Sequence, residues 1–141
     1  MPMIVASSEV ESVLREQLST VGYRLTGQRL FGETGTDIIA SREGESLHIE
    51  TISFKSSGPQ RAKDFYEVFF RATSRLSRGA TRCVIALPAR FGNGLRQRAA
   101  TLGPAWGRIG TAFPELEIWL VDTEARTFRV TQWNTWMEVA D

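Results

Sequence analysis

Between residues 36 and 54 the chain reads TDIIASREGESLHIETISF, two apolar-rich runs of strand character on either side of Glu43-Gly44. No other feature constrains the fold so tightly. A two-residue hairpin loop sets the register of both strands at once, and a slip of one residue turns every side chain to the opposite face. Glycine at position 44 supplies the positive φ that such a turn requires. With that loop Arg42 pairs with Glu45. Counting back along both strands then brings Asp37 opposite Glu50 on one face, with Cβ atoms about 5 Å apart. Two carboxylates so placed repel and destabilise a sheet. A divalent cation offsets the repulsion, because Mg²⁺ takes one or two carboxylates together with waters and phosphate oxygens. A shared proton or a nearby arginine also serves. The competing arrangement is a longer loop, which shifts the register and leaves both acids solvated at the hairpin rim.

The remaining periodicities surround this hairpin with helices and further strands. Residues 8–21 place Val10, Val13, Leu14, Leu18 and Val21 at helical spacing, with Ser7 or Ser8 as N-cap and Gly22 as the stop. Residues 23–31 alternate as a strand. Beyond the hairpin, Pro59 opens a second helix whose apolar face runs through Phe65, Phe69, Ala72, Thr73 and Leu76 to Gly79. TRCVIALP reads as a buried strand, residues 92–113 as a helix interrupted at Gly103-Pro104, and LEIWLVD and TFRVTQW as two closing strands. The order α-β-β-β-α-β-α-β-β predicts a single α/β (α+β) domain over residues 1–141 with a mixed central sheet flanked by helices. An antiparallel meander comes first, then a strand-helix-strand unit that pairs in parallel, and residues 88–141 complete the sheet.

Composition narrows the function classes. A chain of 141 residues, 42% apolar and 23% charged, suits one ordinary globular core. The net charge of +1 rules out steering by a globally basic field, so any anionic partner must be met by local patches. The apolar run at the N-terminus is too short for a signal peptide or a membrane span, so the expectation is a cytoplasmic protein with no membrane partner. Cys83, the single cysteine, lies in an apolar run and is expected in the core. His48 is the only histidine, which excludes zinc clusters and histidine-based triads; on Glu50's face it is either a phosphate contact or a structural imidazole. The seventeen basic residues comprise fifteen arginines and only Lys55 and Lys63. In so arginine-rich a background a lysine is informative, since its ammonium has a tunable pKa.

The run GTDIIA, a short turn and HIETISFKSS before a helix, all preceded by a helix and a strand, resembles the PD-(D/E)XK nuclease superfamily. The layout is similar to that of archaeal Holliday-junction resolvases and Mrr-like restriction endonucleases, over residues 8–87 as a nuclease-like core. The resemblance implies a restriction-endonuclease-like sheet, Mg²⁺ or Mn²⁺ held by Asp37 and Glu50, and hydrolysis of phosphodiester bonds in DNA. Two departures stand out. Gly35-Thr36 replaces the family's proline, and Ile52 stands where the family carries its catalytic lysine. Lys55, returned to the site by the chain break at Ser56-Ser57, and Lys63, on the following helix, are the candidate substitutes. Lys63 with Tyr66 in KDFYEVF also resembles the helix motif of RecB-like relatives. For the acid that the family often adds from its first helix, the candidates are Glu11 and Glu16.

Arg71, Arg75 and Arg78 form a stripe on the second helix that either grips nucleic-acid phosphates or is a solvated face. Arg90, Arg96 and Arg98 cluster after the fourth strand, in a segment whose glycines let backbone approach a phosphate but which lacks the Lys-Ser/Thr of a P-loop. Trp106, Trp119, Trp133 and Trp136 are candidates for core, base stacking or dimer contact. Three functional readings follow. The first is a Mg²⁺-dependent deoxyribonuclease. The second, suggested by Ile52, is the same fold without chemistry, as a nucleic-acid-binding or protein-interaction module. The third is a structural homodimer joined through the aromatic C-terminal strands.

Overall fold

A computed structural model of the chain describes residues 4–27 and 36–139. Helix α1 (Ser7–Thr20) buries Val10, Val13, Leu14 and Leu18, the stripe that its helical spacing predicts. Three strands follow, β1 (Arg24–Leu25), β2 (Ile38–Arg42) and β3 (Glu45–Thr51). The β2–β3 turn is the two-residue loop, with Glu43 at φ 36° and Gly44 at φ 83°, so a non-glycine residue also sits in the left-handed region. Helix α2 (Gly58–Ser74) starts at Ser57, whose hydroxyl accepts from the Gln60 N–H, and has a proline in its first turn. A 3₁₀ turn, Arg75–Arg78, ends at Gly79 in the left-handed region and leads into β4 (Arg82–Pro88).

A second 3₁₀ turn, Ala89–Phe91, precedes α3 (Gly92–Leu102) and α4 (Pro104–Ala112). The helix expected to be merely interrupted is thus two helices. Pro104 cannot donate into a continuing helix, and Gly103 at φ 55° reverses the chain before it. Strands β5 (Leu116–Asp122) and β6 (Thr127–Gln132) come next, and a last turn of helix, α5 (Trp136–Val139), is too short to leave a periodicity in the sequence. The strand expected over residues 23–31 contributes only Arg24–Leu25 to the ladder, and residues 28–35 lie outside the described part.

The six strands form one mixed sheet in the order β1-β2-β3-β4-β5-β6. β1, β2 and β3 pair antiparallel, β3 with β4 and β4 with β5 in parallel, and β5 with β6 antiparallel. Both parallel connections carry their helices to the same face, as two crossovers of one hand moving in one direction must. On that face Phe65, Val68 and Ala72 of α2, Leu95 of α3 and Trp106 of α4 pack on Cys83, Ile85, Leu87, Ile118 and Leu120. On the other, α1 covers Ile38, Ala40, Leu47, Ile49, Val84 and Trp119. The result is a three-layer α+β domain. No described helix is long and apolar enough to cross a membrane.

Trp106, Trp119, Trp133 and Trp136 are all buried within the chain, so none offers its ring to a second copy or to a base. Burial of these rings follows from their area, which dominates core energetics.

Candidate active site

The β2–β3 ladder runs from Arg42–Glu45 to Ile38–Ile49, and the same register counted one residue beyond that last pair sets Asp37 opposite Glu50. Past that point the ladder changes hands. The Thr51 N–H donates to Asp37 Oδ2 at 2.9 Å and the Thr51 hydroxyl donates to the same oxygen at 3.2 Å, so a carboxylate replaces the next backbone acceptor. Asp37 is therefore pinned to the end of β3 by its side chain.

Glu50 lies under α2 with 1% of its surface exposed. The Arg75 Nε donates to its Oε2 at 2.9 Å, and Arg71 Nε stands 3.5 Å from Oε1. Burial first, and then the Asp37 charge, push the Glu50 carboxyl above its ordinary value of 4.5, while Arg75 and Arg71 pull it back in part. The repulsion inherent in the register is thus offset here by arginine. The stripe expected to reach for phosphates turns partly inward, with the Arg75 side chain only 13% exposed. Arg78 remains exposed, near enough to His48 to lower its pKa, after burial and Arg75. His48, whose Nδ1 meets the Thr36 hydroxyl at 3.1 Å, is a buried imidazole held toward its neutral form.

The lysines divide. Thr51, Ser53, Lys55, Asp64, Glu67 and Arg71 line a cleft of about 260 Å³ at the carboxyl end of β3. Lys55 enters it because the chain leaves the sheet after Ile52, whose N–H still donates to the Ala86 carbonyl at 3.3 Å, and Phe54 then bridges to Val5. Its ammonium meets Asp64 at 2.9 Å, and Asp64 also accepts from Gln60 Nε2 at 3.0 Å. Lys63 is not among the residues lining that cleft; it stands exposed on α2, 3.9 Å from Glu67. Ile52, in the lysine's place, belongs to the apolar cluster with Phe65 and Val68. Of the acids on α1, Glu11 is nearer the site. It pairs with Arg15 at 2.7 Å, and Arg15 Nη2 donates to the Asp37 carbonyl at 3.3 Å. Glu16 pairs instead with Arg126 at 2.8 Å. Asp64 and Thr51 were not singled out by sequence. An acid on the outer turn of an amphipathic helix and a strand-end threonine leave no periodic signal, and only the fold brings them to the cleft.

The donor set suits a hard divalent ion that keeps several waters, not an all-protein cage. Asp37 lies near enough to Glu50 for its charge to act on it, and no group of three or more acids, histidines or cysteines with metal-holding geometry occurs among the described residues. For both of its oxygens to be ligands, Glu50 must exchange Arg71 and Arg75 for the ion.

Removing the stronger of those arginines tests the arrangement. Arg75→Leu leaves a buried carboxylate beside a like charge and is expected to cost roughly 3 kcal/mol. The loss has a pH signature. Without Arg75 the Glu50 carboxyl rises further, and a group whose folded value exceeds its unfolded one gives stability that is intact below the unfolded value and drains as pH rises through the folded value. Urea titrations should therefore show a larger deficit near about pH 8 than near about pH 5. A deficit independent of pH would mean that lost packing, not charge, is responsible.

The sequence matches no protein-family model, and no curated protein matches it. Two crystal structures share the fold. An FdxN element excision controlling factor protein from Anabaena variabilis is 17% identical, with a TM-score of 0.54 over 89% of this chain and 99% of that one. An XisH family protein from Nostoc punctiforme is 20% identical, with a TM-score of 0.53 over 88% of this chain and 99% of that one.

Proposed function

We propose that the chain is a member of the PD-(D/E)XK nuclease superfamily and hydrolyses phosphodiester bonds in DNA with Mg²⁺ or Mn²⁺. The observation that carries this reading is the hairpin register, which sets Asp37 against Glu50 at the carboxyl end of β3, where a sheet ordinarily avoids paired acids. The cleft beside them is lined by the basic groups of Lys55 and Arg71 and by the acids Asp64 and Glu67, so a backbone phosphate entering it would take Lys55 from Asp64. An excision controlling factor among the structures of the same fold suits a role on DNA.

Each residue then has a task. Asp37, anchored by Thr51, and Glu50 would hold the ion. Bound there, the ion would neutralise phosphate charge and make a water more acidic. Arg71 and Arg75, at Glu50's own oxygens, are placed to receive a phosphate that approaches it, by charge-assisted hydrogen bonds. Lys55 would orient the attacking water or meet developing charge once drawn from Asp64, and Lys63 and Arg78, both exposed, would meet DNA phosphates outside the cleft.

A second reading, a nucleic-acid-binding module without chemistry, is favoured by two observations. Arginine already neutralises Glu50, and Ile52 sits packed in the core. Cleavage assays on linear and branched DNA with Mg²⁺ or Mn²⁺, against EDTA controls, separate the readings, together with Mn²⁺ calorimetry on wild type and Glu50→Gln. The nuclease predicts metal-dependent cutting and Mn²⁺ heat that Glu50→Gln abolishes. Absence of both, with DNA binding that weakens steeply as salt rises, would leave the binding module.

A further inference from the structure

A second cleft, of about 520 Å³, opens between the start of α2 and the segment that begins α3. Phe54 lines it while its neighbours Ser53 and Lys55 line the acid cleft, so the segment leaving β3 is a partition between the two. Phe54 and Phe91 meet edge to face in it at 5.7 Å. Arg61 stands over the Phe54 ring at 4.6 Å and Arg90 at 5.6 Å, and Arg98 lines the same space. Arg61 is further fixed by donating to the Lys55 carbonyl at 2.6 Å.

The charge is unbalanced. Arg15, Arg42, Arg75, Arg82 and Arg126 each meet a carboxylate, whereas Arg61, Arg90 and Arg98 have no carboxylate partner among the described residues. Three guanidiniums facing one cleft repel one another, and the aromatic ring offsets only part of that. An anion would offset the rest. Guanidinium forks match phosphate oxygens bidentately, and three of them suit the near-dianion of a phosphate monoester better than the single charge of an internal diester. The Phe54 ring holds Arg61 and Arg90 in place, and the exposed Asn93 and Gln97 amides at the rim can meet the polar edges of a base or sugar.

We propose that this cleft binds a nucleotide through its terminal phosphate, either free or at the end of a DNA strand. The site uses neither Asp37 nor Glu50 and goes beyond the nuclease reading. The test is fluorescence anisotropy in EDTA, with labelled single-stranded oligonucleotides bearing a 5′ phosphate, a 3′ phosphate or only hydroxyl ends, competed with dAMP and with inorganic phosphate. A phosphorylated end should bind at least about tenfold more tightly than hydroxyl ends, and Arg90→Gln or Arg98→Gln should each remove most of that difference. Arg90→Lys should restore it in part. If dAMP competes at low concentration, the free nucleotide is the ligand; if only the phosphorylated strand binds, it is the strand end. Equal affinity for all ends with no competition by dAMP, or glutamine variants that keep the preference while folded by circular dichroism, overturns the proposal. Because EDTA prevents metal-dependent cutting, failure here is a separate result from absence of nuclease activity.

Discussion

Asp37→Asn is expected to reduce metal-dependent DNA cleavage by roughly a thousandfold, to the assay background, while the protein stays folded. The substitution is chosen for what it keeps. An asparagine oxygen can still accept the Thr51 N–H that Asp37 Oδ2 accepts at 2.9 Å, so the end of the hairpin remains tied. What disappears is one of two negative charges, and with it half of the hard donor set for an ion. The change also removes a charge that raises the Glu50 carboxyl, so Glu50 should titrate closer to its ordinary value of 4.5 in the variant. Supercoiled and branched DNA with Mn²⁺ give the rate, and thermal melting reports the fold. Wild-type cleavage by a folded Asp37→Asn protein would remove the acid pair from the proposed mechanism.

Trp133→Ala should lose about 3–5 kcal/mol of stability. Trp133 is 1% exposed and stacks on Trp106 with centroids 4.0 Å apart. The two residues also exchange hydrogen bonds. Trp106 Nε1 donates to the Trp133 carbonyl at 3.1 Å and Trp133 Nε1 to the Trp106 carbonyl at 2.8 Å. Truncation therefore opens a cavity against Phe65 and Phe69 and leaves a buried carbonyl without its donor. Trp133→Phe keeps most of the ring and loses the N–H, so a deficit near 1 kcal/mol is expected from it. Urea melts read both values. Light scattering adds a check on the aromatic homodimer reading, because a buried Trp133 predicts one unchanged mass for wild type and Trp133→Phe. A change in mass would mean that the ring lies between two copies.

Much of the fold was legible because its signals are local. Helical spacing in α1 and α2, the Gly103-Pro104 break and the apolar run of β4 all depend on neighbours within a few residues. The hairpin was legible for a stronger reason. Once Gly44 sets a two-residue turn, the pairing of every residue along β2 and β3 is determined by counting. What could not be read were the short elements. β1 contributes two residues to the ladder and α5 spans four, both below the length at which a period can be recognised.

By itself the sequence determined which side chains share a face, and so that Asp37 and Glu50 would stand together. The tertiary structure decided what stands over them. α2 crosses Glu50's face at an angle that brings Arg71 and Arg75 to the carboxylate, and the chain's departure from β3 carries Lys55 into the cleft and into Asp64's grasp. Register is a matter of counting along one chain, whereas contact between layers depends on how ridges pack and where a loop turns, which no single segment specifies.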